Sequence, residues 1–362
     1  MNCRCSGTTP FGSRAARPPT GAPRVAVARR PSLTTPIQST RAACSTTPAD
    51  RLGQPVDSGP VNSGILLVDK PQGITSHGVV SRVRKAADTR KVGHAGTLDP
   101  MATGLLVVGI NSSTRLLTFV VGLDKTYEAT IRLGVSTTSD DADGEVISVS
   151  GAADLASDRI LEAMTPLTGD ILQVPTTVSA IKVDGKRAYD LARQGIDVEL
   201  KARPVTVSRF DVVERRDATH EGTPVIDLDV VVDCTSGTYI RALARDLGSA
   251  LGVGGHLTAL RRTRIGPFGV DGSVAVDDLD ADAVDARLQK PADVARILFD
   301  VLQLDAQQTI DLGHGKKLEV ERDDTPGPIA AITPEGRLLG LVSVTQGRAK
   351  PIINFPTDEV RA

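Results

Sequence analysis

The segment of residues 93–104, GHAGTLDPMATG, gathers residue types that could do chemistry into one short loop. Its glycines permit close approach of the backbone and dihedral angles that other residues avoid. Pro100 pushes Asp99 toward an extended conformation, which projects the carboxylate out of the loop. A projecting carboxylate can serve as a nucleophile, while Lys91 and His94 supply donors for a phosphate or a nucleobase. The alternative is an ordinary glycine-rich turn capped by Asp99, and the loop alone leaves both interpretations open.

Regular elements on both sides of this loop would hold it in place. The apolar run at residues 65–68 predicts a buried strand, and the polar segment after it predicts a turn. Ser76 is the expected cap of a helix that begins at His77 and carries an apolar face. The run at residues 105–110 predicts a second buried strand. A loop with room to move is therefore expected to rest on rigid elements.

The remainder of the chain mixes helices and strands irregularly. Residues 125–135 and 226–234 have strand patterns, whereas residues 239–251 and the acidic stretch 277–300 have helical ones. Short strands follow from about residue 301. This order predicts an α+β fold with a mixed sheet rather than a doubly wound one.

We expect three regions along the chain. Residues 1–60 contain eight Arg but no Lys or Glu, and they show no hydrophobic periodicity. We expect them to be a disordered low-complexity tail, although a transit peptide has a similar composition. Residues 61–298 form the predicted catalytic domain. Residues 299–362 form the predicted small β-rich domain.

Composition excludes several classes of protein. The four Cys, at positions 3, 5, 44 and 234, include no Cys-x-x-Cys pair, so neither a disulfide framework nor a zinc site is expected. The five His are scattered without metal-ligand spacing. No apolar run is long enough to span a membrane. The acidic run after Ser139 lacks the final Glu of a calcium loop and is interpreted as a polar turn between strands.

The formal net charge of −2 hides an uneven distribution. Residues 64–133 carry nine Lys or Arg against five acids, and residues 235–266 carry five Arg against one Asp. Both blocks have a net charge of +4, whereas residues 139–170 have −7. Basic blocks of this kind can attract phosphates, although ordinary solvated faces look the same in a sequence.

Five short motifs follow one another in order along the chain. The first two are GILLVDKPQGITS at residues 64–76 and VGHAGTLDPMATGLL at residues 92–106. The others are KTY at residues 125–127, SAIKVDGKRAYDLAR at residues 179–193, and GTYIR at residues 237–241, followed by LRR at residues 260–262. All three Tyr of the chain lie in these motifs. Together and in this order, the motifs resemble the TruB family of tRNA pseudouridine-55 synthases. The resemblance covers residues 64–300 and implies a pseudouridine synthase fold, with a largely antiparallel central sheet, flanking helices and a PUA-like C-terminal domain.

The resemblance also implies roles for individual residues. Asp99 matches the catalytic aspartate, which attacks the ribose or removes a proton from it. Tyr127 matches a tyrosine that packs on the target base, and Tyr239 matches one that assists proton removal and contacts the substrate. Arg241 matches the arginine that pairs with the catalytic carboxylate.

Three further positions are implied to bind substrate. His94 matches a residue near the flipped-out nucleotide, and Leu260 matches a wall of the uridine pocket. Lys70 matches a lysine of the first motif that is either structural or close to phosphate. Val178 departs from the family, because many relatives have Tyr or His there.

The expected reaction is isomerisation of uridine 55 in the T-arm of tRNA, by a cytoplasmic monomer that needs neither metal nor organic cofactor. One alternative is a guide-RNA-dependent synthase of the dyskerin-like branch. Another is a tRNA-binding folding helper that uses the same basic cleft. The loop ending Met-Ala-Thr-Gly favours the stand-alone enzyme over the first alternative, and the complete set of site residues argues against binding as the sole role.

Overall fold

The structure is a computed structural model, and it describes residues 63–176, 182–183, 186–187 and 200–355. They belong to one compact unit, Asp57–Ala362. The predictions for residues 1–60 and for Val178 lie outside the described residues, as do 11 of the 15 positions of the 179–193 motif.

The described elements follow in chain order. The first half contains β1 (Gly64–Lys70), α1 (Ser76–Ala86), β2 (Val92–Ala95), β3 (Thr103–Ile110), α2 (Leu117–Val121), β4 (Lys125–Leu133), β5 (Val135–Thr137), β6 (Val146–Val149), α3 (Ser157–Met164), β7 (Gly169–Gln173), β8 (Lys182–Val183) and β9 (Lys186–Arg187). The second half contains β10 (Arg203–His220), β11 (Thr223–Cys234), α4 (Ile240–Leu251), β12 (Gly255–Ile265), β13 (Phe268–Gly269), β14 (Val274–Ala275), α5 (Ala281–Arg287), α6 (Pro291–Leu298), β15 (Val301–Gln303), α7 (Ala306–Gly313), β16 (Leu318–Glu319), β17 (Thr325–Ile332), β18 (Leu338–Thr345) and β19 (Arg348–Asn354).

A ten-stranded sheet forms the centre of the molecule. Its main path runs β14-β1-β3-β12-β4-β11-β10-β7, with β13 on β12 and β2 on β3. The β1–β14 and β3–β12 pairs are parallel and the other pairs are antiparallel. The predicted α+β class and largely antiparallel mixed sheet are therefore confirmed.

Strand β4 shows why the sheet has one buried face. Tyr127, Ala129, Ile131 and Leu133 alternate with more exposed residues, and all four belong to a core cluster that includes residues of α3 and α4. Because side chains alternate across a strand, the intervening positions lie on the opposite, polar face. There Arg132 forms a bidentate pair with an aspartate of β11. The sheet thus buries the face that carries Tyr127.

One predicted helix boundary is wrong, and one predicted helical stretch is divided into two helices. Thr75, not Ser76, caps α1, because its Oγ1 accepts a hydrogen bond from Gly78 N at 3.0 Å. The stretch 277–300 is not one helix, since α5 ends at Arg287 and α6 begins at Pro291. Proline fits the first turn of a helix but disfavours a helical residue before it, so the helical pattern is interrupted there.

A second sheet follows, with the strand order β15-β17-β18-β19-β16. It shares a core cluster with the large sheet, in which Ile65 and Leu105 pack with Ile332 and Leu341. The rings of Phe119 and Phe299 meet edge to face at 5.1 Å between centroids. The C-terminal sheet is therefore docked on the large sheet through apolar contacts.

None of the described helices is long and apolar enough to cross a membrane.

Candidate active site

Asp99 forms an ion pair with Arg241, the second residue of α4. Arg241 Nη2 lies 2.9 Å from Asp99 Oδ2, and Nη1 lies 3.1 Å from Asp141 Oδ2. Nη1 also donates to the carbonyl of Ser139 at 2.8 Å. The side chains of Arg241 and Asp141 are 5% and 6% exposed, whereas that of Asp99 is 39% exposed. One buried guanidinium thus orients two carboxylates, and Asp99 is the accessible one.

The backbone of the Asp99 loop is held at alternate residues. Ser76 Oγ donates to the carbonyl of Leu98 at 3.0 Å and accepts from its N–H at 2.9 Å. Lys70 Nζ donates to the carbonyls of Pro100, at 3.3 Å, and Ala102, at 2.5 Å. These bonds bracket Asp99, so β1 and α1 fix the direction of its carboxylate.

Lys70 is fully buried and has no carboxylate partner within 4.0 Å among the described residues. Burial lowers the pKa of Lys70 to about 8, although the charge of Asp99 opposes this shift. Its contacts in the structure are carbonyl groups of the loop and of Pro71. The geometry therefore gives Lys70 a supporting position beneath the Asp99 loop.

A cavity of about 270 Å³ opens beside Asp99. This volume is close to the lower end of the range for small-molecule sites, roughly 300 Å³. Tyr127, Tyr239, Arg241 and Leu260 line the cavity together with Asp99. Five of the seven predicted site residues, drawn from four separate segments, therefore meet around one cavity.

The two tyrosines occupy different settings. Tyr127 on β4 is 7% exposed, and burial raises the pKa of its hydroxyl while the Arg262 guanidinium opposes the rise. Tyr239 lies immediately before α4, where its backbone N–H donates to Gln173 Oε1 at 2.8 Å and its carbonyl accepts from Nε2 at 3.1 Å. Buried Gln173 thus fixes the position of Tyr239 from both sides of its peptide backbone.

His94 and Lys70 are not among the residues that line this cavity. The His94 ring packs edge to face on His77, with 5.6 Å between centroids. Its Nδ1 is buried without a hydrogen-bond partner among the described residues. Burial lowers the pKa of His94, and nearby His77 lowers it further. His94 thus packs from β2 against His77 of α1 and does not line the cavity.

A larger cavity, of about 490 Å³, is lined by residues of β4, β11 and β12, including Glu128, Thr130 and Arg261. It shares Leu260 with the smaller cavity but contains neither Asp99 nor a tyrosine. The smaller cavity is the one equipped for chemistry.

Sequence reasoning missed four residues of the site. Gln173 carries no signal in the sequence, and Asp141 was part of the acidic turn between β5 and β6. Lys125 and Arg262 stand in the quoted motifs but received no role. Lys125 and Arg262 both line the cavity. The sequence did offer a signal for Lys125 and Arg262, because each lies two residues from a predicted site residue, Tyr127 and Leu260 respectively.

Family models match three consecutive parts of the chain. Residues 84–240 match the TruB family pseudouridylate synthase (N terminal domain). Residues 241–303 match the tRNA pseudouridylate synthase B C-terminal domain, and residues 299–356 match the tRNA Pseudouridine synthase II, C terminal, model.

Curated relatives cover most of the chain. A protein of Leifsonia xyli named tRNA pseudouridine synthase B is 53% identical over 308 residues, which are 83% of this chain and 99% of that protein. A protein of the same name from Arthrobacter sp. is 51% identical and covers 82% of this chain. That match includes 98% of the Arthrobacter protein.

Solved structures share the fold at lower identity. A chain from an H/ACA RNP bound to a substrate RNA containing 2′-deoxyuridine is 24% identical, with a TM-score of 0.60. The match covers 82% of this chain and 87% of that one. A chain of an archaeal box H/ACA sRNP complex is 22% identical, also with a TM-score of 0.60, and covers 83% and 88%.

Proposed function

The chain belongs to the TruB family of pseudouridylate synthases, and from that premise we propose that it converts uridine 55 in the T-loop of tRNA to pseudouridine without a guide RNA. The observation that carries the proposal is the Asp99–Arg241 pair at the wall of a cavity lined by two tyrosines. A pseudouridine synthase must cleave the N1–C1′ bond of uridine, turn the base, and rejoin it through C5. All three steps occur at one nucleotide, which suits one small cavity.

Asp99 is proposed to act on the ribose. Arg241 keeps the carboxylate oriented through a charge-assisted hydrogen bond, while the exposure of Asp99 leaves an oxygen free for substrate. The carboxylate then either bonds to C1′ or removes a ribose proton, and both uses are consistent with a single Asp. In either case its approach to C1′ is set by the bonds that bracket the loop.

The base is proposed to enter the cavity after leaving the RNA stack, because its reacting atoms are otherwise inaccessible. Tyr127 provides an aromatic surface for the base, and Leu260 an apolar wall. Tyr239 is placed to assist loss of the C5 proton. His94 and Lys70 are proposed to act from outside the cavity lining, His94 toward the flipped nucleotide region and Lys70 as a support for the backbone.

The tRNA T-arm is the proposed partner, recognised by loop shape and unstacked bases rather than by a duplex groove. We further propose that the protein acts in the cytoplasm as a monomer. The dyskerin-like alternative rests on structures at 22–24% identity, which support the fold alone. The curated relatives at 51–53% identity favour the guide-independent enzyme.

The test is to incubate the purified full-length protein with an unmodified tRNA transcript and map pseudouridine along it. We expect product at position 55 with no other RNA present. Product that forms only after a guide RNA is added would contradict the proposal. Tight tRNA binding with no product would favour the folding-helper alternative.

A further inference from the structure

Two cations line the reaction cavity without an acidic partner. Lys125 is 6% exposed and Arg262 is 1% exposed. Lys125 Nζ donates to the carbonyls of Val121, at 2.9 Å, and Leu123. Among the described residues, no carboxylate oxygen lies within 4.0 Å of either cation. Carbonyl oxygens therefore hold the Lys125 ammonium, and no carboxylate among the described residues contacts it.

Arg262 has the same kind of environment. Its Nε donates to the carbonyl of Leu105 at 2.9 Å, and its Nη2 donates to the carbonyl of Gly96 at 3.0 Å. A methyl group placed on Gly96 would lie 3.4 Å from Arg262 Nη1 and 4.0 Å from Lys125 Cε. The two cations thus converge on the backbone three residues before Asp99.

The cavity lining is therefore positive overall. It contains one carboxylate, Asp99, against three cations, Lys125, Arg241 and Arg262. Arg241 is shared between Asp99 and Asp141, and these three side chains together carry a net charge of −1. The two remaining cations bring the total to +1. Burial of an unpaired charge costs free energy of folding. Proteins typically retain such charges at functional sites, where they interact with a charged ligand or intermediate.

The electrostatics of Lys125 agree with this count. Burial, together with the Arg262 charge, lowers its pKa to about 8. Two groups act in the opposite direction: Cys234 on β11, which faces it, and Asp124, which precedes it in the chain. The ammonium is thus retained in an environment that disfavours it.

Resting on the proposed function, we propose that Lys125 and Arg262 stabilise the negative charge of the uracil ring while the ring is detached from ribose. When the N1–C1′ bond breaks, its electron pair stays on the base and leaves it anionic. Asp99 meets the electron deficiency at C1′, by bonding to it or by taking a ribose proton that it later returns. C5 then donates a pair to C1′; the Asp99–C1′ bond breaks at this point if it had formed, or the ribose proton returns from Asp99 if it had been removed. The C5 proton then leaves and N1 takes up a proton, so atoms and charge balance.

The position of the cations favours the base over a backbone phosphate as the anion. Arg262 on β12 is the direct cross-strand partner of Tyr127, the proposed surface for the base. Both cations are almost fully buried, whereas the phosphates of a flipped nucleotide stay near solvent. Fixed positive groups aimed at developing charge are among the largest contributions to catalysis.

The experiment compares Lys125→Met with Lys125→Arg in single-turnover reactions on an unmodified tRNA transcript. Lys290→Met, the same change at an exposed residue, is the matched control. We expect Lys125→Met to slow the reaction by about 100-fold while tRNA affinity changes by less than about threefold. Lys125→Arg should recover at least about tenfold, because it restores the charge.

A second substrate separates charge stabilisation from loss of structure. A transcript with 5-fluorouridine at the target position places an electron-withdrawing group on the ring, which stabilises the anion by itself. Disappearance of that nucleoside should be slowed by Lys125→Met far less than disappearance of uridine. Equal slowing of both substrates would contradict the proposal.

The wild-type enzyme provides a test that does not depend on a variant folding. Only the charged ammonium stabilises an anion, so the single-turnover rate should fall as the pH rises through about 8. Lys125→Arg should keep its rate to higher pH, which distinguishes Lys125 from Lys70, whose pKa is also about 8. Burial raises the pKa of Cys234 to about 11, which takes its thiol out of that range.

Besides equal slowing of the two substrates, three results would overturn the inference and leave the proposed function standing. The first is a Lys125→Met rate equal to the wild-type rate. The second is a Lys125→Met variant that loses only tRNA affinity, because this result would assign the cations to a phosphate. The third is a wild-type rate that does not change with pH. Absence of pseudouridine with the wild-type protein would instead overturn the proposed function itself.

Discussion

At the scale of single residues, the geometry of the cavity depends most on Arg241. Its guanidinium binds Asp99 on the cavity side and Asp141 on the buried side. Asp141 also accepts hydrogen bonds from Ser139 Oγ and from the backbone N–H of Asp143. This network leaves the guanidinium little freedom to turn away from Asp99. Asp141 is therefore a positioning residue that acts through Arg241.

We predict that Asp141→Asn lowers kcat by about 10- to 100-fold, or about 1.4 to 2.7 kcal/mol, with little change in KM. The amide keeps the shape of the side chain but removes the charge that orients Arg241. Asp143→Asn, a change at an exposed acid of the same turn, should react as the wild type does. Steady-state kinetics on a tRNA transcript measures both. An Asp141→Asn enzyme with wild-type kcat would contradict the role given to Asp141.

The sequence could predict the residues that touch the cavity better than those that support them. Asp99, Tyr127 and Arg241 stand in motifs that resemble those of the TruB family, and the resemblance implied their roles without a structure. Asp141 lies 100 residues before Arg241 in the chain, and an acidic turn gives no sign of such a distant partner. Whether His94 binds substrate stays a prediction, since its ring packs on His77 and does not line the cavity.

At the scale of elements, the site depends on the close approach of β3 and β12. Gly104 has φ +98°, and a methyl group added there would lie 2.3 Å from the carbonyl oxygen of Arg262. No side chain larger than hydrogen fits between these parallel strands without moving one of them. The contact joins the end of the Asp99 loop to the strand that carries Leu260 and Arg262.

Gly104→Ala is expected to lower the free energy of unfolding by about 3 kcal/mol, from the unfavourable φ together with the backbone collision. Gly73→Ala is the matched control, because Gly73 has φ +85° but open space where the methyl group would lie. It should cost only about 1 kcal/mol. Urea denaturation measures both values. Equal losses would show that strand approach at Gly104 is not tight.

Strand positions could be predicted well because the buried runs at residues 65–68 and 105–110 are unambiguous. Helix ends could not, because Thr75 and Ser76 are both good caps, and only the tertiary fold assigns Ser76 to Leu98. The order of strands in the sheet could not be predicted from the sequence either. The parallel β3–β12 contact depends on residues more than 150 positions apart.

At the scale of the whole molecule, the two sheets share apolar surface. The cluster that joins them contains Leu117 of α2 and Phe355 after the last strand. The boundary at residues 298–299 stays a prediction, since Leu298 and Phe299 pack against this same cluster. The C-terminal sheet is therefore expected to stabilise the sheet that carries the site.

We predict that the two sheets unfold together in one cooperative transition. Separating the sheets would expose the shared cluster to water, which couples their stabilities. Differential scanning calorimetry should give a calorimetric enthalpy equal to the van't Hoff enthalpy. Two resolved transitions, with the first insensitive to Phe299→Ala, would contradict this coupling.

The central claim is that Asp99 performs the chemistry on a bound tRNA, and the most direct test is the single-turnover yield of pseudouridine with Asp99→Asn. The variant keeps the size of the side chain and removes the reactive carboxylate. The account predicts tRNA affinity close to that of the wild type and no detectable pseudouridine at position 55. Formation of pseudouridine there at the wild-type rate would contradict it.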